Sequence, residues 1–117
     1  MRVLIVEDEA LIAMHLEALV LGMGHEVCGL ADRTEQAIRL ARDHAPDLVL
    51  VDVHLACGDS GLAAAQVIAA EGRIAIIIVS ANINDIAPAD LSFRPSGLVG
   101  KPYSESALRS AIAALRG

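Results

Sequence analysis

Glu7 and Asp8 stand side by side directly after an apolar run, VLIV at 3–6. Asp52 follows a second run, LVLV at 48–51, and Ser80 a third, IAIIIV at 74–79. Lys101, the only lysine beside eight arginines, lies between a glycine and a proline in LVGKPYS. If those runs are neighbouring strands, three carboxylates meet on one rim. Carboxylates that close repel, so their ionised forms need compensation. A hard divalent cation is the economical solution, since Mg²⁺ takes one or two carboxylates, waters and a phosphate oxygen. A lysine opposite can hold a phosphoryl oxygen as a point charge on a long stem. The Ser80 hydroxyl can donate to another oxygen. A nucleophilic carboxylate, a metal, a cation and a hydroxyl donor suit phosphoryl transfer onto an aspartate, where catalysis is mostly positioning and charge neutralisation.

Bringing these residues together is the work of two alternating kinds of segment. Short β-branched runs occur at 3–6, 27–31, 48–51 and 74–79, with a weaker one at 98–99. Several are apolar throughout, as parallel strands covered on both faces are. Helix-period stretches lie between them. In 10–23, Ile12, Leu16, Leu19, Val20 and Met23 share one face, and Gly24 follows where a C-terminal glycine belongs. Thr34 is the expected N-cap of a second helix with Ala37, Ile38 and Ala41 on its face and Pro46 as its stop. A third covers about 62–70 and closes at Gly72. The last starts at Ser104 and buries Leu108, Ala111, Ile112 and Leu115. This βα alternation, repeated five times, predicts an α/β fold: a parallel sheet with helices on both faces. SANINDIAPADLSFRPSG, after the fourth strand, has two prolines and poor helix formers, so the fourth helix is expected to be short or distorted. Open α/β sheets place their sites at the C-terminal ends of strands, where Glu7, Asp8, Asp52, Ser80 and Lys101 all fall.

Composition bounds the function. A length of 117 residues suits one domain, 1–117. Hydrophobic residues make up 55% and aromatics 2%, so the core must be aliphatic. A net charge of −6 argues against direct nucleic-acid or anionic-membrane binding. Cys28 and Cys57 have neither disulfide nor zinc spacing. No run approaches the ~18 apolar residues of a membrane span, and MRVLIVEDE meets acid too soon for a signal peptide. A cytoplasmic protein is expected.

Four pieces, LIVEDE (4–9), LVLVDVHL (48–55), IVSA (78–81) and GKPYS (100–104), resemble the receiver domain of two-component response regulators. Each is weak alone; in this order, at these strand ends, they are specific together, and the resemblance spans essentially the whole chain. It implies a flavodoxin-like sheet of strand order 2-1-3-4-5. It implies that Asp52 accepts a phosphoryl group from a histidine kinase or histidine phosphotransfer protein, with Mg²⁺ or Mn²⁺ as cofactor. Asp8 and Asp52 would bind the metal, with Glu7 assisting directly or through water and the backbone carbonyl of His54 as a further ligand. Ser80 would be the switch hydroxyl and Lys101 the phosphoryl contact, aimed by a cis peptide before Pro102. His54 and Asn82, each two residues past a site residue, would flank the site and tune phosphoryl lifetime. Such a chain is no enzyme beyond its own phosphorylation and dephosphorylation. It would signal through a downstream protein target or a phosphorelay, as a monomer or weak homodimer.

The chain also departs from the family's commonest form. The loop VHLACGDSG is one residue longer and lacks the usual proline. Three residues before the lysine, where the family often has an aromatic, stands Leu98, and Tyr103 follows the Lys-Pro pair where an aromatic is usual. Long loops and poor fourth helices also mark receivers of the alphaproteobacterial general-stress type. His15, His25 and His44 read as surface residues, Asp59 and Asp85 as turn supports, and Cys57 as a plain thiol. Three rivals remain: a pseudo-receiver binding module without phosphorylation, a receiver fragment of a larger DNA-binding regulator, and a haloacid-dehalogenase-type hydrolase. The last would want a second acid where this chain has His54.

Overall fold

The computed structural model describes residues 1–53, 55, 59–81, 91–101 and 103–116. Expectations for His54, Cys57, Asn82, Asp85, the peptide before Pro102 and the helix across 82–90 lie outside the described residues.

The apolar runs form strands β1 (Arg2–Val6), β2 (Glu26–Ala31), β3 (Leu48–Asp52), β4 (Ala75–Ser80) and β5 (Gly97–Gly100). They pair in parallel as one sheet of order β2-β1-β3-β4-β5, the flavodoxin-like arrangement expected. The helices among the described residues are α1 (Ala10–Gly22), α2 (Thr34–His44), α3 (Gly61–Glu71) and α4 (Glu105–Ala113), the last followed by a 3₁₀ turn, Ala114–Arg116.

Alternate strand residues face opposite ways, and here both faces are covered. Leu4, Val6, Val49, Val51, Ile76 and Ile78 pack with Ala37, Ala41, Ala64, Ala65 and Ile68 from α2 and α3. Val3, Ile5, Leu48, Leu50, Ile77 and Val79 pack with Leu16, Leu19, Val20, Leu108 and Ile112 from α1 and α4. The alanines let α2 and α3 lie close on the sheet, while the branched side chains of β1, β3 and β4 fill the space that aromatics would otherwise occupy.

Helix ends follow local chemistry. Gly24 takes φ +88 just after α1, which a side chain would resist. Ser60 and Ser104 cap α3 and α4, accepting from the Ala63 and Ala107 amides at 3.2 and 3.1 Å. Two expectations are corrected. Thr34 is the first helical residue and Arg33 the N-cap, because the Thr34 hydroxyl donates to the Ser60 carbonyl at 2.9 Å instead of turning back onto its own helix. His25 is not a surface residue: it is buried, and its Nδ1 lies 2.9 Å from the Met1 amino group.

Candidate functional site

The β1–β2 ladder runs one rung past Val6, with the Glu7 amide donating to the Ala31 carbonyl at 2.8 Å. That rung holds Glu7 inward, 4% exposed, while the next residue, Asp8, stands exposed at the rim. Asp52 is the last residue of β3 and is buried. One carboxylate oxygen from each of Glu7, Asp8 and Asp52 lies within 4.8 Å of the others. The β4–β5 ladder is likewise extended, with the Lys101 amide donating to the Ser80 carbonyl at 2.8 Å. From there Lys101 Nζ donates to Glu7 Oε1 and Asp52 Oδ2, both at 3.1 Å. Ser80, at the end of β4, is 1% exposed. All five residues singled out at strand ends therefore occur on the C-terminal rim of one sheet. The structure brings four of them, Glu7, Asp8, Asp52 and Lys101, into a single charged cluster.

The charges do not balance: three carboxylates face one ammonium within this cluster. Burial, and then the hydrogen bond and negative charge of Asp52, push the Glu7 carboxyl up to about 7 against the opposing pull of Lys101. For Lys101, burial favours the neutral form, but Glu7 and Asp52 together outweigh it and raise the ammonium above its ordinary value. Burial and the charge of Glu7 also raise Tyr103, which stacks on His15 with ring centroids 5.6 Å apart. Its hydroxyl lies 3.0 Å from His15 Nδ1, tying the segment after Lys101 to α1.

A cleft of about 280 Å³ opens beside the acids, lined by Glu7, Asp8, Met14, Leu30 and Asp32 among others. A larger one of about 520 Å³ lies at the opposite end of the sheet beside Arg42, Asp47, Glu71 and Arg73. The smaller cleft is the one next to buried, unbalanced charge, and that makes it the chemical end.

Sequence reasoning passed over two contacts. Asp59 does more than support its own turn: its Oδ2 accepts from the Thr34 amide at 3.0 Å, joining the loop after β3 to the start of α2. Gly61 lies against the Asp52 carbonyl. The available signal was a glycine at the start of a helix, where propensity alone disfavours it.

A parallel 2-1-3-4-5 sheet with an acid cluster and a lysine at its C-terminal rim defines a class of signalling domain. Residues 3–113 match the family model described as the response regulator receiver domain, and the chain belongs to that family. It is 36% identical over 112 residues to the phyllosphere-induced regulator PhyR of Methylorubrum extorquens, and 38% identical over 112 residues to the transcriptional regulatory protein PdtaR of Mycobacterium tuberculosis. Each match takes in 95% of this chain but only 42% and 54% of those proteins. The chain thus spans about half the length of these relatives. Among solved structures, the receiver domain of PhyR from Erythrobacter litoralis superposes with a TM-score of 0.90 at 39% identity, covering 98% of this chain and 89% of that one. The anti-anti-sigma factor PhyR of Bartonella quintana matches with a TM-score of 0.86 at 34% identity, covering 98% of this chain and 47% of that one.

Proposed function

We propose that this receiver accepts a phosphoryl group on Asp52 from a phosphohistidine of a histidine kinase or histidine phosphotransfer protein. The observation that carries the reading is the lysine bridge: Lys101 Nζ sits 3.1 Å from both Glu7 and Asp52, with Asp8 beside them on the rim.

The donor set suits Mg²⁺ or Mn²⁺. All its side-chain ligands are hard oxygens, and one lysine leaves the three acids undercompensated. Asp8 and Asp52 would hold the ion, Glu7 directly or through water. When bound, the metal neutralises charge on the transferring group. A carboxylate oxygen of Asp52 forms the new bond to phosphorus as the bond to the donor imidazole nitrogen breaks. The imidazole keeps the electron pair and takes a proton from solvent. Lys101 turns from Asp52 to a phosphoryl oxygen, keeping Glu7 as its second partner. The Ser80 hydroxyl, one strand over, moves toward another phosphoryl oxygen, and the surface around β4, β5 and α4 is reshaped with it.

The chain acts on no substrate other than its own aspartyl phosphate, and it works in the cytoplasm as a monomer or weak homodimer. Among the described residues no helix is long and apolar enough to cross a membrane. Its output is contact with a downstream protein or phosphate relay, with no direct nucleic-acid binding. The likeness to PhyR, one of whose solved forms is described as an anti-anti-sigma factor, makes a protein that controls a sigma factor the first class of target to test.

The test is intact mass after incubation with acetyl phosphate, with and without Mg²⁺. Wild type is expected to gain one Mg²⁺-dependent phosphoryl adduct and Asp52→Asn none. No adduct on wild type, together with no structural response to beryllofluoride, would overturn the reading in favour of a binding module that never carries phosphate.

A further inference from the structure

The loop that follows Asp52 returns to it. Gly61, the first residue of α3, donates its amide to the Val53 carbonyl at 2.7 Å. A Cβ placed on Gly61 would stand 1.6 Å from the Asp52 carbonyl oxygen, 2.7 Å from the Asp52 carbonyl carbon and 2.9 Å from Val51 Cγ2. Two of those three atoms are backbone of Asp52 itself, and cannot swing aside as a side-chain end can. Any side chain at Gly61 must therefore displace either the start of α3 or the peptide that carries the Asp52 carboxylate.

The turn before Gly61 is held from outside as well. The Thr34 amide donates to Asp59 Oδ2 at 3.0 Å and the Thr34 hydroxyl to the Ser60 carbonyl at 2.9 Å. The Leu55 amide donates to the Asp59 carbonyl at 3.0 Å. Thr34 thus ties residues 59 and 60 to the start of α2, and the adjoining Gly61 meets Asp52 through backbone.

We infer that Gly61 is a positioning residue for the phosphoacceptor. The missing side chain lets the first turn of α3 close onto the Asp52 carbonyl, and Thr34 holds that turn in place. The inference rests on Asp52 being the phosphoacceptor. An attacking oxygen must be held to a fraction of an ångström, and a shift of about 1 Å can lower a rate on the order of 100-fold.

The experiment compares wild type, Gly61→Ala, Thr34→Val and, as control, Gly72→Ala. A Cβ at Gly72 would meet only Ile74, at an ordinary 3.8 Å. Rates of adduct formation are measured against acetyl phosphate and Mg²⁺ concentration, separating the maximal rate from the half-saturating concentrations, with thermal melts alongside. In the metal-free proteins, ¹H–¹⁵N spectra report the amides of Glu7, Asp52 and Lys101. Gly61→Ala is expected to lower the maximal rate by about 10- to 100-fold, raise half-saturating Mg²⁺ and shift the Asp52 amide. Thr34→Val should show the same pattern at a few-fold, and Gly72→Ala should match wild type. If Gly61→Ala does not fold, folded Thr34→Val decides alone, and a rate and Asp52 amide equal to wild type overturn the inference. A folded Gly61→Ala within twofold of wild type in rate overturns it too. If wild type itself takes no phosphoryl group, the phosphoacceptor reading has failed, and the Asp52 amide shifts in the metal-free variants then decide whether Gly61 positions that residue.

Discussion

At the C-terminal rim of the sheet, the Lys101 side chain is 15% exposed and its partners Glu7 and Asp52 are 1% and 10% exposed. At the opposite rim, Arg42 closes a two-point contact on Glu71, Nε to Oε1 at 2.8 Å, with side chains 60% and 41% exposed. The second pair has the better geometry: a guanidinium fork on a carboxylate, one charge against one. Its hydrogen bond and charge hold Glu71 below and Arg42 above their ordinary values. Yet it stands in water, where such pairs contribute little and salt screens them. The first group is unbalanced and desolvated, so its charges bear on one another strongly and add little to stability. One rim joins two helix ends; the other keeps a negative charge undercompensated, which favours a cation.

Removing the lysine breaks this contrast most sharply. Lys101→Met strands Glu7 and Asp52 without their cation, and the metal-free protein should lose about 3 kcal/mol at neutral pH, since breaking a buried ion pair leaves uncompensated charge. Urea unfolding measures it, and added Mg²⁺ should restore part of the loss. A loss no larger than that of Arg42→Ala would mean that desolvation does not set the two rims apart.

Titration sharpens it next. Glu7 has a folded value of about 7 against 4.5 when free. A carboxyl raised in this way binds more protons folded than unfolded between those values. It therefore contributes stability below that window, which is lost as pH rises through it. The metal-free protein should melt at lower temperature at pH 7 than at pH 5, and Glu7→Gln should flatten that part of the profile.

The smallest effect belongs to the far rim. Arg42→Ala should leave the phosphorylation rate unchanged, and its small change in melting temperature should vanish in high salt. A slowed phosphoryl transfer in Arg42→Ala would couple the two ends of the sheet and break the comparison.

Much of this was legible along the chain. The runs at 3–6, 48–51 and 74–79 became β1, β3 and β4 within a residue of their expected ends, because a strand covered on both faces needs unbroken apolar sequence. Parallel pairing then sends every strand's C-terminus to the same rim, so residues directly after the runs had to share it. Helix ends were legible where one residue's conformation decides them, as at Gly24 and Ser104. Thr34 was misread because its hydroxyl had two possible acceptors, one local and one across the fold, and sequence reveals only the local one. His25 looked like a solvated turn residue until the start of β1 came down beside it.

Sequence by itself thus determined the α/β fold, the aliphatic two-faced core and which rim carries the acids, since these follow from periodicity and chain direction. Only the tertiary structure decided that Lys101 Nζ reaches Glu7, 94 positions away, that Glu7 turns inward while Asp8 stays at the rim, and that the α-carbon of Gly61 rests on the Asp52 carbonyl. The lysine contact joins different βα units, and the Gly61 contact closes the single unit that runs from β3 to α3. Their distances are set by how closely helices settle on the sheet, a sum over many packed side chains that no local pattern encodes.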